Sequence, residues 1–411
     1  MQGTLGGRRL RWHWMALDGV GWLGSPGFDE RSRSSERVPS ERLQWGANGS
    51  EGMSDGMREG LSKMWSAERA TEWWNRQPWI VGCNFIPSTA VNQLEMWQAE
   101  TFDGETIERE LGWAADLGFN VVRVYLHDLL WEQDQQGFLD RIDAFLALAE
   151  RARIGVLFVL FDDVWSTSPQ LGPQPDPHPG RHNAGWVQSP SLPALEAYPN
   201  DAALRERLEH YVRGLVSAFK DDSRILGWDV YNEPGGFPSP RSEPVGEACL
   251  PLLEDVFDWV RDCAPEQPLT SGLWLNPLKP VSPAIRSLQL NLSDVVSFHH
   301  YGSAEELEEL IDELRTQTDR PLLCTEYLAR SLGNRFETQL PIFRERGVGA
   351  ISWGLVSGKT QTIYPWWSWF DEEPKPEPKV WFHDVLRGDG TPFDEAEAVF
   401  LRQILDRDDQ G

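Results

Sequence analysis

The chain has 411 residues, 64 acidic against 38 basic side chains, four cysteines and 21 tryptophans. A net charge of −26 argues against nucleic acid or an anionic membrane as partner, because both would repel it. No run of ~18 apolar residues is present to span a bilayer, while 40% hydrophobic residues over this length can build a substantial core. Tryptophan is about one residue in twenty and offers flat faces on which sugar rings stack, a compositional lean toward an enzyme or a carbohydrate binder. Cys83, Cys249, Cys263 and Cys324 show neither C-x-x-C pairing nor metal-ligand spacing, and read as structural thiols rather than a disulfide framework.

Residues 1–60 hold eight arginines and eight acidic residues with many Gly and Ser and no sustained periodicity (RSRSSERVPSER, GANGSEGMSDG). They read as a disordered extension, or as the product of a mis-assigned start with translation beginning near Met53 or Met57. Asp18 and four glycines interrupt the stretch after Arg8, Arg9 and Arg11. No secretion signal is legible there, and a cytoplasmic location is expected. Residues 61–411 are expected to form a single domain.

From residue 79 onward, short β-branched runs alternate with amphipathic, helix-length segments. The expected strands are 79–85, 120–126, 154–161, 225–231, 268–274, 294–299, 321–327 and 348–353. Between them the helical pattern is legible over 105–117, 138–151, 202–219, 304–314 and 336–346, with a closing helix near 395–406. Serial strand–helix units imply parallel strands joined by right-handed crossovers, hence an α/β fold of the (β/α)8 TIM-barrel type. A doubly wound open sheet is the alternative, but no Gly-rich turn follows the first strand. Connections 162–200, 234–247 and 354–392 are too long for simple turns. All follow a strand's C-terminal end, so extended βα loops are expected around the face where barrels build substrate clefts. Trp366, Trp367, Trp369 and Trp381 in the last of them read as pins holding that loop.

On this fold, polar residues at strand ends share one mouth. The fourth strand ends Tyr231-Asn232-Glu233-Pro234, the seventh Cys324-Thr325-Glu326-Tyr327, the sixth His299-His300-Tyr301 and the eighth Ser352-Trp353. The second carries Arg123, with His127 and Asp128 just beyond. A carboxylic acid directly after an apolar strand is desolvated, so it needs partners or a raised pKa. Two such glutamates, three strands apart, face each other across a barrel mouth and can divide acid and nucleophile roles in glycosidic cleavage.

The run I-L-G-W-D-V-Y-N-E-P, with a later strand ending in T-E and with Arg123, His299-x-Tyr301 and Trp353 in order, resembles the retaining glycoside hydrolases of clan A. The resemblance is greatest to the cellulase-type family 5, and it covers roughly residues 79–406. It implies Glu233 as acid/base and Glu326 as nucleophile, the latter ionised and held by Arg123 and Tyr301. Asn232 would bond the sugar 2-hydroxyl, Trp353 would floor the site and His299 would add a hydroxyl contact. One departure stands out: family members commonly carry a His near the end of the third strand, where this chain has Phe161-Asp162-Asp163. Asp162 or Asp163 is therefore either a hydroxyl ligand or a cap for the long loop. After the first strand, Asn92, Glu95 and Trp97 are either substrate contacts or helix caps and packing.

Other motifs are set aside. Gly354–Thr360 is like a P-loop but has three residues between its glycines instead of four. His178 and His182 are separated by Pro179 and Gly180, which do not favour a zinc-binding helix. His299 and His300 are adjacent on a strand and face opposite ways, so they do not converge on a metal. The expectation is a monomeric β-glycosidase without metal or cofactor, acting on a β-linked oligosaccharide or polysaccharide. Its rivals are a non-catalytic sugar-binding barrel and a metal-dependent barrel hydrolase.

Overall fold

The computed structural model describes residues 63–236, 245–274 and 282–406. The expected extension over 1–60 lies outside the described residues, as does the middle of the connection 234–247. Eight parallel strands follow in chain order: β1 (Val81–Asn84), β2 (Val121–Tyr125), β3 (Gly155–Val159), β4 (Ile225–Asp229), β5 (Leu269–Thr270), β6 (Val296–His299), β7 (Leu322–Glu326) and β8 (Gly349–Ser352). Their lateral order, β5-β4-β3-β2-β1-β8-β7-β6, is a ring cut between β5 and β6. Leu273 closes the cut: its amide donates to Ser297 O at 2.9 Å and its carbonyl accepts from His299 N at 2.8 Å. The result is the (β/α)8 barrel.

A helix follows each strand: α1 (Gly104–Asp116), α2 (Asp128–Arg151), α3 (Ala202–Phe219), α4 (Leu250–Asp262), α5 (Pro283–Leu292), α6 (Ala304–Gln317), α7 (Phe336–Glu345) and α8 (Glu395–Ile404). Two of them, α4 and α5, escape the periodicity reading. Both carry proline in the first turn, where its missing N–H costs nothing. The second helix begins ten residues earlier than expected, at Asp128 rather than 138. It breaks at Asp134 (φ −160°, ψ 79°), whose Oδ1 accepts from Gly137 N at 3.0 Å and restarts the helix. The restart is what the apolar period beginning at Phe138 registers.

Period-two alternation divides each strand between two cores. Val122, Val124, Val156 and Phe158 face the helices, while Ile80, Val121, Leu157, Val295, Leu323 and Ile351 form a separate cluster inside the ring. Trp73 and Trp74, at the end of the helix Ala67–Asn75, pack against that inner cluster. With that interior filled by side chains, the chemistry is confined to the C-terminal face.

Two strands slip phase on the way there. Between Val156/Ile225 and Leu157/Gly227, β4 advances two residues against one of β3; between Phe298/Cys324 and His299/Glu326, β7 does the same against β6. Strict alternation from inward Leu323 would turn Thr325 inward and Glu326 outward. The bulge at Thr325 re-aims Glu326 into the mouth.

Candidate active site

Alternation along β2 turns Arg123 and Tyr125 to the same interior face, and Arg123 becomes the hub of the mouth. It is fully buried, and each of its nitrogens has a partner. Nε and Nη2 donate to Asp229 Oδ2 at 3.0 and 2.8 Å, and Nη2 also donates to Asn232 Oδ1 at 2.7 Å. Nη1 lies 2.9 Å from Asn84 Oδ1, 2.6 Å from the Tyr125 hydroxyl and 2.9 Å from Glu326 Oε1. Burial opposes the guanidinium's charge, but Tyr125, Asp229 and Glu326 outweigh it and push its pKa up.

Glu326 also accepts from two phenols, Tyr125 at 3.0 Å on Oε1 and Tyr301 at 2.9 Å on Oε2. Burial raises its pKa and Glu233 adds to the rise; His299, Arg123 and the Tyr301 hydroxyl pull it back. Glu233 has no such set of donors. Its Oε1 lies 2.8 Å from His299 Nδ1, and burial, with Arg123 opposing, pushes it up to about 7. Glu326 thus has a guanidinium and two hydroxyls on it, donors that favour its charged form, whereas Glu233 has the His299 ring nitrogen. Glu233 is also the more open of the two, its side chain 19% exposed against 7% for Glu326.

One carboxylate oxygen of each glutamate and the His299 ring nitrogen all lie within 4.8 Å of one another. His299 Nδ1 is 3.5 Å from Glu326 Oε2, so the ring sits between the acids, and its Nε2 is buried without a partner. Burial drops its pKa to about 4, leaving the imidazole neutral at neutral pH. Gly272 makes room for it: a Cβ there would stand 2.8 Å from Nε2.

The remaining expected contacts divide. Asn232 sits beside the pair, with Oδ1 on Arg123 and Nδ2 donating to Asp162 Oδ1 at 2.9 Å. That leaves one amide hydrogen for a ligand. Asp162 is buried and accepts from Trp186 Nε1 at 2.7 Å and Val164 N at 3.1 Å as well. It positions Asn232 and braces the loop after β3, so of the two readings the loop role is the one found. Trp353 is half-buried and packs edge-to-face on Tyr125 and Trp186, with centroids 5.9 and 5.8 Å away.

The three candidates after β1 belong to the scaffold. Asn92 caps the short helix Gln93–Trp97 and donates to Gly185 O at 2.8 Å. Glu95 accepts from Val91 N and pairs with Lys359. Trp97 is fully buried on Phe102, Phe138 and Phe145, its indole N–H on Tyr125 O. Such polar, aromatic density serves capping and packing in this loop.

Sequence reasoning missed Asn84, Tyr125, Asp229 and Trp186. For two of them a signal existed: Tyr125 is two residues after Arg123 on one strand face, and Asp229 is a carboxylate inside an apolar strand, which demands a buried cation. Trp186 had none, because only contacts between loops carry it to the mouth. Among the set-aside motifs, His182 Nδ1 bonds Tyr364 O at 2.8 Å. The four cysteines are free thiols, three of them buried.

No protein-family model matches this chain, and no curated protein matches its sequence. Solved structures do match. A single-site variant of GH5_18 from Streptomyces cattleya, in complex with Manβ1-4GlcNAc, is 14% identical with a TM-score of 0.54, covering 79% of this chain and 79% of its own. Exo-β-1,4-mannosidase Op5Man5 from Opitutaceae bacterium strain TAV5 is 18% identical at TM-score 0.51, covering 80% of this chain and 59% of its own. The endo-β-1,4-mannanase of Thermotoga petrophila is 14% identical at TM-score 0.51, covering 81% and 77%. At these identities the likeness is one of fold, and it is the barrel fold that the family 5 resemblance implied.

Proposed function

We propose that this chain is a retaining glycoside hydrolase that cleaves β-linked oligo- or polysaccharides by double displacement, with Glu326 as nucleophile and Glu233 as acid/base. The observation that carries the reading is the pair itself: two carboxyl groups with oxygens within 4.8 Å, one loaded with donors and one held up to about 7. Retaining pairs stand about 5–5.5 Å apart, whereas inverting pairs leave a wider gap for water.

In the first step Glu326 attacks the anomeric carbon while the bond to the leaving oxygen breaks, and Glu233 gives that oxygen its proton. Esterification discharges Glu326, so Glu233 can then ionise without a like charge beside it. Glu233 then takes a proton from the water that attacks the ester, and the sugar leaves with its original configuration. The neutral His299 ring suits both stages, since Nδ1 can accept from protonated Glu233 or donate to its ionised form. The free amide hydrogen of Asn232 serves the 2-hydroxyl.

A fluoro-substituted glycoside that forms a slowly hydrolysed ester should label Glu326, as read by peptide mass. Turnover without labelling, or first release of the α-anomer, would sink the assignment. Because the structural neighbours are named for β-1,4-mannan and Manβ1-4GlcNAc linkages, β-mannosides head the substrate panel, with β-glucosides and β-xylosides beside them.

A metal reading has one observation in its favour: Glu233, His299 and Glu326 are the group among the described residues that could hold an ion. Against it, the Arg123 guanidinium already occupies Glu326 Oε1 at 2.9 Å and would repel a cation. Chelator should leave hydrolysis unchanged; activity lost to chelator and restored by a divalent ion would favour the metal.

A further inference from the structure

The loops after β1, β3 and β8 form one wall. Asn183 N donates to Thr360 O at 2.8 Å, and the Gln361 side chain bonds Gly180 N and His178 O, both at 2.8 Å. His182 is fastened twice more, its amide to Ser368 Oγ at 3.0 Å and its carbonyl to Trp369 Nε1 at 2.7 Å. The β1 loop is stitched in through Lys359, whose amide donates to Ser88 O at 3.0 Å and whose Nζ meets Glu95 at 2.5 Å. Along the inner rim, aromatic rings continue from Trp165 to His182 (6.3 Å), Trp366 (6.5 Å) and Tyr301 (4.9 Å), which itself bonds Glu326.

The wall stands on a definite side. Glu233 follows β4 and Trp353 follows β8, half the ring apart. An acid that protonates the departing oxygen has the leaving group on its own side, so the glycone lies toward Trp353, where the wall is. Between Trp353 and the wall is a recess lined by Asn84, Tyr125, Asn183, Thr362 and Asp384, with room for about one or two water-sized groups. It offers free acceptors. Asn183 Oδ1 is buried without a partner, and both oxygens of Asp384 share the single hydroxyl of Thr362, at 2.8 and 2.9 Å. Gly354 (φ +81°) keeps the space clear, since a Cβ there would stand 2.5 Å from Asp384 Oδ1.

We infer that the enzyme is exo-acting: it takes one non-reducing terminal sugar, whose free hydroxyls face the Asn183–Asp384 recess, and the wall excludes internal residues of a chain. An internal residue carries a further sugar on its far side, and that sugar would need the space that the joined loops fill. The inference rests on the hydrolase reading above.

Reducing-end-labelled ladders of β-1,4-linked manno-, gluco- and xylo-oligosaccharides test it, together with the same oligosaccharides O-methylated at the terminal 4-hydroxyl. From the earliest time the labelled product should be one unit shorter, with free monosaccharide beside it, and methylation should lower kcat/KM by at least about tenfold. Labelled fragments of several lengths at early times, or equal rates on capped and uncapped chains, would overturn exo action while leaving the hydrolase reading intact. Failure to cleave any oligosaccharide or aryl β-glycoside removes both.

Discussion

At the scale of single residues, the two glutamates differ in what touches them. Glu326 carries Arg123, Tyr125 and Tyr301; Glu233 has His299 and a more open position. Glu233 also has φ +43°, the left-handed region that disfavours a side-chain-bearing residue, a strain of the kind concentrated at functional sites. Glu233→Gln should lower kcat/KM on poor leaving groups by about 10²–10⁴-fold and cost much less in kcat/KM on activated aryl glycosides, whose kcat still falls because the second step lacks its base, as steady-state rates would show. Glu326→Gln should abolish turnover on both. With Glu233 pushed up to about 7, the acid form is lost as pH rises through neutrality. The alkaline limb of kcat/KM should therefore fall near pH 7 and be absent in Glu233→Gln measured on activated substrates. A limb unmoved by that change would place the titration elsewhere.

At the scale of elements, the site depends on how strands are joined. Arg123 on β2 and Asp229 on β4 form an ion pair with no exposed surface, spanning β3. Asp229→Asn leaves the guanidinium short of one anion in a dry interior. Because Glu326 still faces it, the loss should be near the low end for a broken buried pair, about 3 kcal/mol in a denaturant titration. The same change should lower kcat, since Arg123 would no longer be held between Asn232 and Glu326. The bulges in β4 and β7 belong to this scale too, because they set the phase in which Asp229 and Glu326 arrive. The motif at the end of the fourth strand was readable in the chain, but the bulge at Thr325 was not. A bulge is a property of two paired strands, and only β6 reveals that β7 has advanced one residue too far.

At the scale of the whole molecule, long loops are locked to the barrel by buried polar groups. Glu110 on α1 is fully buried and accepts from Ser88 N at 3.0 Å and Ser88 Oγ at 2.5 Å, pinning the loop after β1. Burial pushes Glu110 up to about 7 despite those bonds. For a carboxylate raised on folding, the native state binds more protons than the unfolded state between about pH 4.5 and 7. Stability therefore falls across that window and stays lower above it. Glu110→Gln lacks this limb, so its Tm relative to the parent should be more favourable at pH 8 than at pH 5. A difference independent of pH would mean that Glu110 is ionised at both. The chain's acidity has its place at this scale: the first 60 residues are charge-neutral, so all of the −26 lies beyond them, where it repels polyanions from the barrel.

The strands, the helices between them and the glutamates at the ends of β4 and β7 are legible in the chain because each is local. A β-branched run, an amphipathic period and a carboxylate after an apolar strand need no knowledge of distant residues. Helices α4 and α5, the start of α2 and the fate of Asn92, Glu95 and Trp97 were not legible: a proline can start or stop a helix, and an Asn can cap a helix or bind a sugar, depending on what packs against it. Only the folded chain brings Tyr125 and Asp229 onto Arg123, places His299 between the two acids and joins the loops after β1, β3 and β8 into one wall. Those contacts link residues far apart in the chain, so they are decided by ring closure and strand register rather than by local pattern. What the amino acids determine alone is the barrel and the two glutamates at its mouth; the partners that set those glutamates apart, and the wall beside them, follow from tertiary geometry.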